Sequence, residues 1–321
     1  MNPSPPVLLI AFNRPDRFAR LIDAVRAARP EHVYVAIDGP RNSNSADAAG
    51  VQACRDLISR IDWTSSVHVL ARPENLGCGR AVSGAIDWFF EHETRGIILE
   101  DDLIPQESFF GFCAQLLEHY EDVPEVFAIS GCNVVPADHI FTGGPYRFTQ
   151  IPQIWGWATW RRTWQEYRLD ITGWRSGLPW VQRWQVMGRS LLGVAYWSAL
   201  FDLLASGQID TWDGQLVYAA MRTRGLTAIA NVNLVANEGF GSEATHTVRE
   251  PDFLQPAQPI DLALLSVSIA RGGIPVATDH RADRWMRVVA YQATWWGLAR
   301  QAARYVSRRR AQATSTRGVR G

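Results

Sequence analysis

Three consecutive carboxylates, Glu100, Asp101 and Asp102, follow the apolar run Ile97-Ile98-Leu99. Adjacent carboxylates repel one another, and an apolar strand draws them toward a crevice. A divalent cation resolves that conflict. Hard carboxylate oxygens suit Mg2+ or Mn2+, which keep waters and take further ligands from substrate phosphates. The plainer alternative is a solvated acidic turn capping the next helix. Far along the chain, Asn237-Glu238-Gly239-Phe240-Gly241 precedes Ala244-Thr245-His246-Thr247. Its glycines let backbone approach a ligand closely. His246 offers a neutral imidazole as a further metal ligand, against the alternative of a loop histidine bonded to backbone.

A third block, Asp210-Thr211-Trp212-Asp213-Gly214-Gln215, gives Asp213 two readings. It is either a first-turn acid of a helix or a general base that takes a proton from an attacking hydroxyl. Trp212 beside it is a stacking surface for a sugar. A fourth block runs Trp155-Gly156-Trp157-Ala158-Thr159-Trp160-Arg161-Arg162. Indole faces take sugar rings and guanidinium forks take phosphate; the alternative is hydrophobic core.

These groups need elements to position them. Apolar runs at residues 7–12, 33–37, 67–70, 96–99 and 126–129 predict strands. Helical spacing at 15–28, 45–60, 78–90 and 108–120 predicts the helices between them, with Asn13 as a possible N-cap of the first. Strand and helix alternate through residue ~130, as in an α/β, mostly parallel, doubly wound sheet with helices on both faces. In such sheets ligands bind beyond the carboxyl ends of the strands. The polar residues at those ends are Asn13, Arg14 and Asp16, then Asp38, then Arg72 and Asn75, then Glu100, Asp101 and Asp102.

Past Pro136 the texture changes. Residues 180–206 and 213–223 read as helices and 228–235 as a strand. Residues 251–259 read as a Pro-rich linker. Residues 284–310 read as a basic, Trp-rich amphipathic helix, followed by a disordered tail. That helix either lies on an anionic membrane surface or packs on the domain. The expected organisation is one catalytic domain over 1–250, with a nucleotide-binding half at 1–135 and an acceptor half at 136–250. Residues 251–321 form the extension.

Composition bounds the reading. A chain of 321 residues with 47% hydrophobic and 20% charged residues is globular, not disordered. Zero formal net charge removes any global attraction to nucleic acid. All 32 basic residues are arginine, which reads as codon bias. Cys54, Cys78, Cys113 and Cys132 form no CxxC pair and read as free thiols in a reducing cytoplasm. No secretory leader is expected from residues 1–6, and no run of about 18 apolar residues predicts a spanning helix.

Seven segments together resemble a bacterial, glycosyltransferase-2-like branch of the nucleotide-diphospho-sugar transferases with the GT-A fold. They are Ala11-Phe12-Asn13-Arg14-Pro15-Asp16, Ile37-Asp38-Gly39-Pro40, Asn75-Leu76-Gly77-Cys78-Gly79-Arg80, Glu100-Asp101-Asp102-Leu103, residues 155–160, Trp212-Asp213 and residues 233–247. The acidic element is also similar to that of the N-acetylglucosaminyltransferase I group. The resemblance implies a metal-dependent glycosyltransferase that moves a sugar from a nucleotide-diphospho-sugar, expected to be a UDP-sugar, to a hydroxyl of a glycan or lipid-linked acceptor. It implies Asp102 and His246 as ligands of Mn2+ or Mg2+. Glu100 and Asp101 would meet ribose or donor sugar. Asn13, Arg14, Asp16, Asp38, Asn75 and Arg80 would surround the nucleotide and diphosphate. Asp213 would be the catalytic base of an inverting displacement, with Trp155, Trp157 and Trp212 toward the sugar. The element reads Glu-Asp-Asp in place of Asp-x-Asp, so which acid ligates the metal directly stays open. Two rivals remain: a nucleotidyltransferase that makes a nucleotide-sugar, and a non-catalytic carbohydrate-binding protein. The expected location is the cytoplasm, with peripheral contact on the inner membrane face through 284–310.

Overall fold

The computed structural model describes residues 4–42, 44–140, 143–240 and 253–294. The first half alternates β1 (Val7–Ala11), α1 (Pro15–Ala28), β2 (His32–Ile37), α2 (Ser45–Asp56), β3 (Ser66–Ala71), α3 (Gly77–His92) and β4 (Arg95–Glu100). There follow β5 (Leu103–Pro105), α4 (Glu107–His119), β6 (Val126–Ser130), β7 (Tyr146–Thr149), β8 (Trp157–Trp160), α5 (Arg161–Trp164), α6 (Trp174–Gly177), α7 (Trp180–Val186) and α8 (Leu191–Ala205). The chain continues through α9 (Asp213–Thr223), β9 (Leu226–Ala230), β10 (Val235–Asn237), α10 (Leu262–Ala270) and α11 (His280–Trp285).

Local chemistry explains the first elements. Pro15 opens α1, where a missing N–H costs nothing. Phe18, Leu21, Ile22 and Val25 then fall on one buried face. Arg29, in left-handed backbone at φ 44°, ends the helix. β1 is apolar at every position because both of its faces are covered. Val7, Leu9 and Ala11 pack toward α1, α2 and α4, whereas Leu8 and Ile10 pack toward α3 and α9. Each such side chain contributes roughly 2 kcal/mol when buried.

The main sheet has eight strands in the order β3-β2-β1-β4-β8-β6-β9-β7. β3, β2, β1 and β4 are mutually parallel. β8 enters antiparallel between β4 and β6, and β7 closes one edge antiparallel to β9. The result is a large, mostly parallel mixed sheet flanked by helices. A separate two-stranded ribbon pairs β5 with β10.

Several expectations change. β3 forms the sheet's edge and is largely exposed, unlike its neighbours. The long helix at 180–206 is two helices: Gly188 at φ 91° and Arg189 at φ 51° turn the chain, and Arg189 N–H caps Trp184 O at 2.9 Å. The strand expected at 228–235 splits into β9 and β10. Asn231 Nδ2 donates to Gly144 O at 2.8 Å and Asn233 Nδ2 to Gln255 O at 2.8 Å, which takes the intervening residues out of the sheet. From Phe253 onward the Pro-rich stretch is therefore tied to the domain, and Gln258 N–H also donates to Asn233 O. α10, unforeseen, then packs on α4.

The basic helix at 284–310 is also revised in its described part. α11 ends at Trp285 and passes into a wider π-turn over Met286–Ala290. Asp283, fully buried, accepts from Thr149 Oγ1 and from Gln150 N–H at 3.1 Å. Ala282 and Met286 are buried beside it. This stretch docks on the domain; residues 295–310 lie outside the described residues. Among the described residues, no helix is long and apolar enough to cross a membrane.

Candidate active site

From β1 the chain winds outward through β2 to β3, then returns to lay β4 on the other side of β1. That reversal makes a switch point at the carboxyl ends of β1 and β4, the place where open α/β sheets take ligands. Arg14 follows β1 there, and Glu100-Asp101-Asp102 end β4. Glu100 pairs with Ile10 in the sheet.

The end of β4 divides the acidic triplet, with Glu100 as its last residue and Asp101-Asp102 in the turn to β5. Ile98 faces the α3 and α9 side, and so does Glu100; Asp101 turns to the α1 and α2 side. Asp101 is buried, and both of its oxygens meet Arg14, from Nη2 and, at 3.3 Å, from Nε. Arg14 Nη1 reaches Asp102 Oδ2 at 3.2 Å. Burial opposes the guanidinium charge, but the two carboxylates outweigh it and hold Arg14 above its ordinary value. Burial also lifts Asp101 to about 6, against the pull of Arg14. Part of the repulsion expected in the triplet is thus answered by an arginine. Both oxygens of Asp101 are held by Arg14, which spans β1 and β4.

Among the described residues no basic side chain hydrogen-bonds Glu100, and Arg14 only moderates its rise. Burial first, then Asp102, Asp101 and Asp213, push it up to about 8. The same side holds Cys78, whose thiol is raised to about 12 by burial and then by Glu100, Asp210, Asp213 and Asp38. Four carboxylates from distant parts of the sequence therefore converge on one side of the switch point. Asp38, beyond β2, is buried and accepts from Asn75 Nδ2 at 2.8 Å and from Leu76 N–H at 3.1 Å. Burial raises its carboxyl, and the Leu76 N–H moderates the rise. Asp38 and Asn75, named at two separate strand ends, are brought together, closing the loops after β2 and β3 on each other.

Asp213 is exposed at the first position of α9. Its Oδ1 accepts from Thr211 Oγ1 and, at 2.8 Å, from Gly214 N–H, so one oxygen is fixed. Arg80 and Asp16 are exposed on the first turns of α3 and α1. Asn13 does not cap α1; its amide donates to Asp47 Oδ1 at 2.7 Å. Asp47 is buried, and the Arg41 hydrogen bond, with help from Asn13, keeps it ionised below the usual carboxylate range.

The aromatic expectations are corrected in part. Trp157 and Trp212 are 1% and 2% exposed and stack on each other at 5.8 Å. They join β8 to the start of α9 as core and offer no open face to a sugar. Trp155 is only partly buried and meets Phe240 edge to face at 5.8 Å.

The Gly-rich loop does reach the acids. β10 pairs with β5, and Glu238 N–H donates to Asp102 O at 2.8 Å. Gly239 lies so close that a Cβ there would overlap Asp102 Oδ2 and crowd Asn237 Oδ1. His246 lies outside the described residues. Among the described residues, no three His, Cys, Asp or Glu side chains form a metal cage. The donor set fits the other mode of Mg2+ and Mn2+ binding, in which one or two carboxylates hold an ion that a substrate phosphate also ligates. Asp102 is partly exposed beside Gly239 and meets Arg14 Nη1 at 3.2 Å; of the three acids it is the one that could serve in that mode.

One contact had no local signal. Asp210 Oδ2 and Oδ1 accept the N–H groups of Cys78 and Gly79 at 3.0 and 2.9 Å, across 132 and 131 residues. This carboxylate caps α3, satisfying N–H groups that a helix start leaves open. Comparison with known protein families gives no match, and comparison with curated proteins gives none.

Proposed function

We propose that the chain is a glycosyltransferase of the GT-A type that moves a sugar from a nucleotide-diphospho-sugar, a UDP-sugar by preference, to an acceptor hydroxyl. The observation that carries this reading is the acidic switch point at the β1/β4 reversal. Glu100 and Asp102 line it from β4, Asp38 and Asn75 from the next loops, and Asp213 from α9. So many carboxylates would repel a diphosphate by themselves. Asp102, with the donor's phosphates, would hold Mn2+ or Mg2+. When bound, the ion neutralises charge on the departing diphosphate. Arg80, exposed at the start of α3, adds positive charge from the protein side.

The chain's own groups supply the rest. The Asp38–Asn75 bond fixes a wall for the nucleotide. Asp213 keeps one oxygen on Thr211 and Gly214, which aims the carboxylate at an acceptor hydroxyl. Accepting that proton on the face opposite the leaving diphosphate gives inversion at the sugar carbon. Product NMR reads the first-formed anomer; a retained configuration removes Asp213 from this role.

The test is thermal denaturation with UDP-, GDP- and dTDP-sugars, each with and without Mn2+. A ligand of the native state must raise the midpoint. One nucleotide-sugar is expected to raise it in a metal-dependent way, and Asp102→Asn is expected to abolish the metal-dependent part. No rise with any of them in the presence of metal overturns the proposal.

A further inference from the structure

α7 carries the chain's most concentrated exposed aromatic surface among the described residues. Trp180, Val181 and Trp184 are 56%, 67% and 39% exposed. Trp184 is a helix-surface neighbour of both Trp180, at i+4, and Val181, at i+3. Leu191, 67% exposed at the start of α8, follows the turn in which Arg189 N–H caps Trp184 O. The opposite face of α7 is well held. Val186 is buried, and Gln182 Nε2 donates to Met221 O at 3.1 Å and Arg222 O at 2.7 Å at the end of α9. The outward indoles are thus presented by an anchored helix.

The charge around this face has one sign. Residues 171–201 contain Arg175, Arg183 and Arg189 and no acid. Arg175 and Arg183 both lie over Trp174, at 4.5 and 4.7 Å; Asp202 forms an ion pair with Arg175 and also acts on Arg183. Arg189 is exposed beside the tryptophans, and Arg224 joins from the end of α9 through Gln185 at 2.9 Å. Indoles that bury an apolar body while keeping a polar edge wet, ringed by arginine, match the interface of an anionic bilayer.

We propose that α7 and the α7–α8 turn form a membrane-docking face for anionic lipid. The α7–α8 turn adjoins the C-terminal segment, with Gly188 against Arg287, and the proposal does not depend on the transferase reading. α7 holds the carboxyl end of α9 through Gln182, and Asp213 lies eight residues before Met221, roughly 12 Å along that helix.

The test uses the full chain and vesicles alone, with no nucleotide-sugar, so its outcome leaves the transferase proposal standing or falling separately. The wild type is expected to co-sediment with equimolar phosphatidylcholine–phosphatidylglycerol vesicles and not with phosphatidylcholine alone. The combined Trp180→Ser, Val181→Ser, Trp184→Ser variant should lose about ten-fold or more in partitioning, with an unchanged melting curve. Trp180→Phe with Trp184→Phe should keep binding but lose quenching by brominated phosphatidylglycerol, which maps the contact to these indoles. Equal pelleting of the serine variant, or unchanged quenching in the Phe variant, overturns the proposal. So does a wild-type dimer on gel filtration that the serine variant converts to monomer, since the face would then belong to a second copy.

Discussion

At the residue scale, the acidic triplet performs three tasks with three identical charges. Asp101 is neutralised by Arg14, Asp102 lies under Gly239, and Glu100 faces the other acids. The end of β4 makes this division, because Glu100 is its last residue and Asp101-Asp102 lie in the turn to β5. Glu100 holds its proton up to about pH 8 in the folded chain, against 4.5 ordinarily. Between those values the native state binds more protons than the unfolded one, so stability falls as pH rises through the window. Glu100→Gln removes that dependence. Its melting point should exceed the wild type's at about pH 8 and match it closely near pH 4; parallel curves at both would exclude this linkage. At the same scale, Asp213→Asn should retain nucleotide-sugar binding in thermal shifts while turnover falls about 100-fold or more. Loss of both would reduce Asp213 to a helix-start acid.

At the element scale, α3 begins with Gly77 at φ 79° and has no capping side chain of its own. Asp210 supplies the cap from the approach to α9. The start of α3, beside the Asp38–Asn75 wall, is therefore coupled to the loop that carries Asp213. Asp210→Ala should cost about 1 kcal/mol, whereas Asp210→Asn keeps one acceptor oxygen for the two N–H groups and should recover only part of that loss. Denaturant midpoints measure both; an Asp210→Ala variant as stable as the wild type would mean that α3 does not need this cap. Helix periodicity located α3 because its apolar spacing is local. Its cap was not legible: Asp210 stood in a block read for Asp213, and nothing near it in sequence announces a helix 131 residues back.

At the scale of the whole molecule, β8 joins the first four parallel strands to β6 and β9, so one sheet runs through both halves of the chain. Trp157 on β8 stacks on Trp212 just before α9, which locks the candidate base to the sheet. Trp157→Ala should destabilise the fold by about 4 kcal/mol, read by denaturant unfolding. A fully stable variant with only weakened sugar affinity would restore the open-platform reading.

The sequence by itself determined the alternating half through β6, the apolar spacing of its helices and the acidic strand end, because these follow from period and composition over a few neighbours. It also marked Asp38, Asn75, Glu100, Asp102 and Asp213 as polar groups beyond apolar elements. Only tertiary structure decided that Trp157 and Trp212 are core, since a tryptophan's type does not say which neighbour covers it. Only tertiary structure placed Arg14 on Asp101, Gly239 on Asp102 and Asp210 on α3. Those contacts join residues 87, 137 and 131 positions apart, and pairing over such distances is set by how the sheet winds, a property of the whole chain that no local pattern carries.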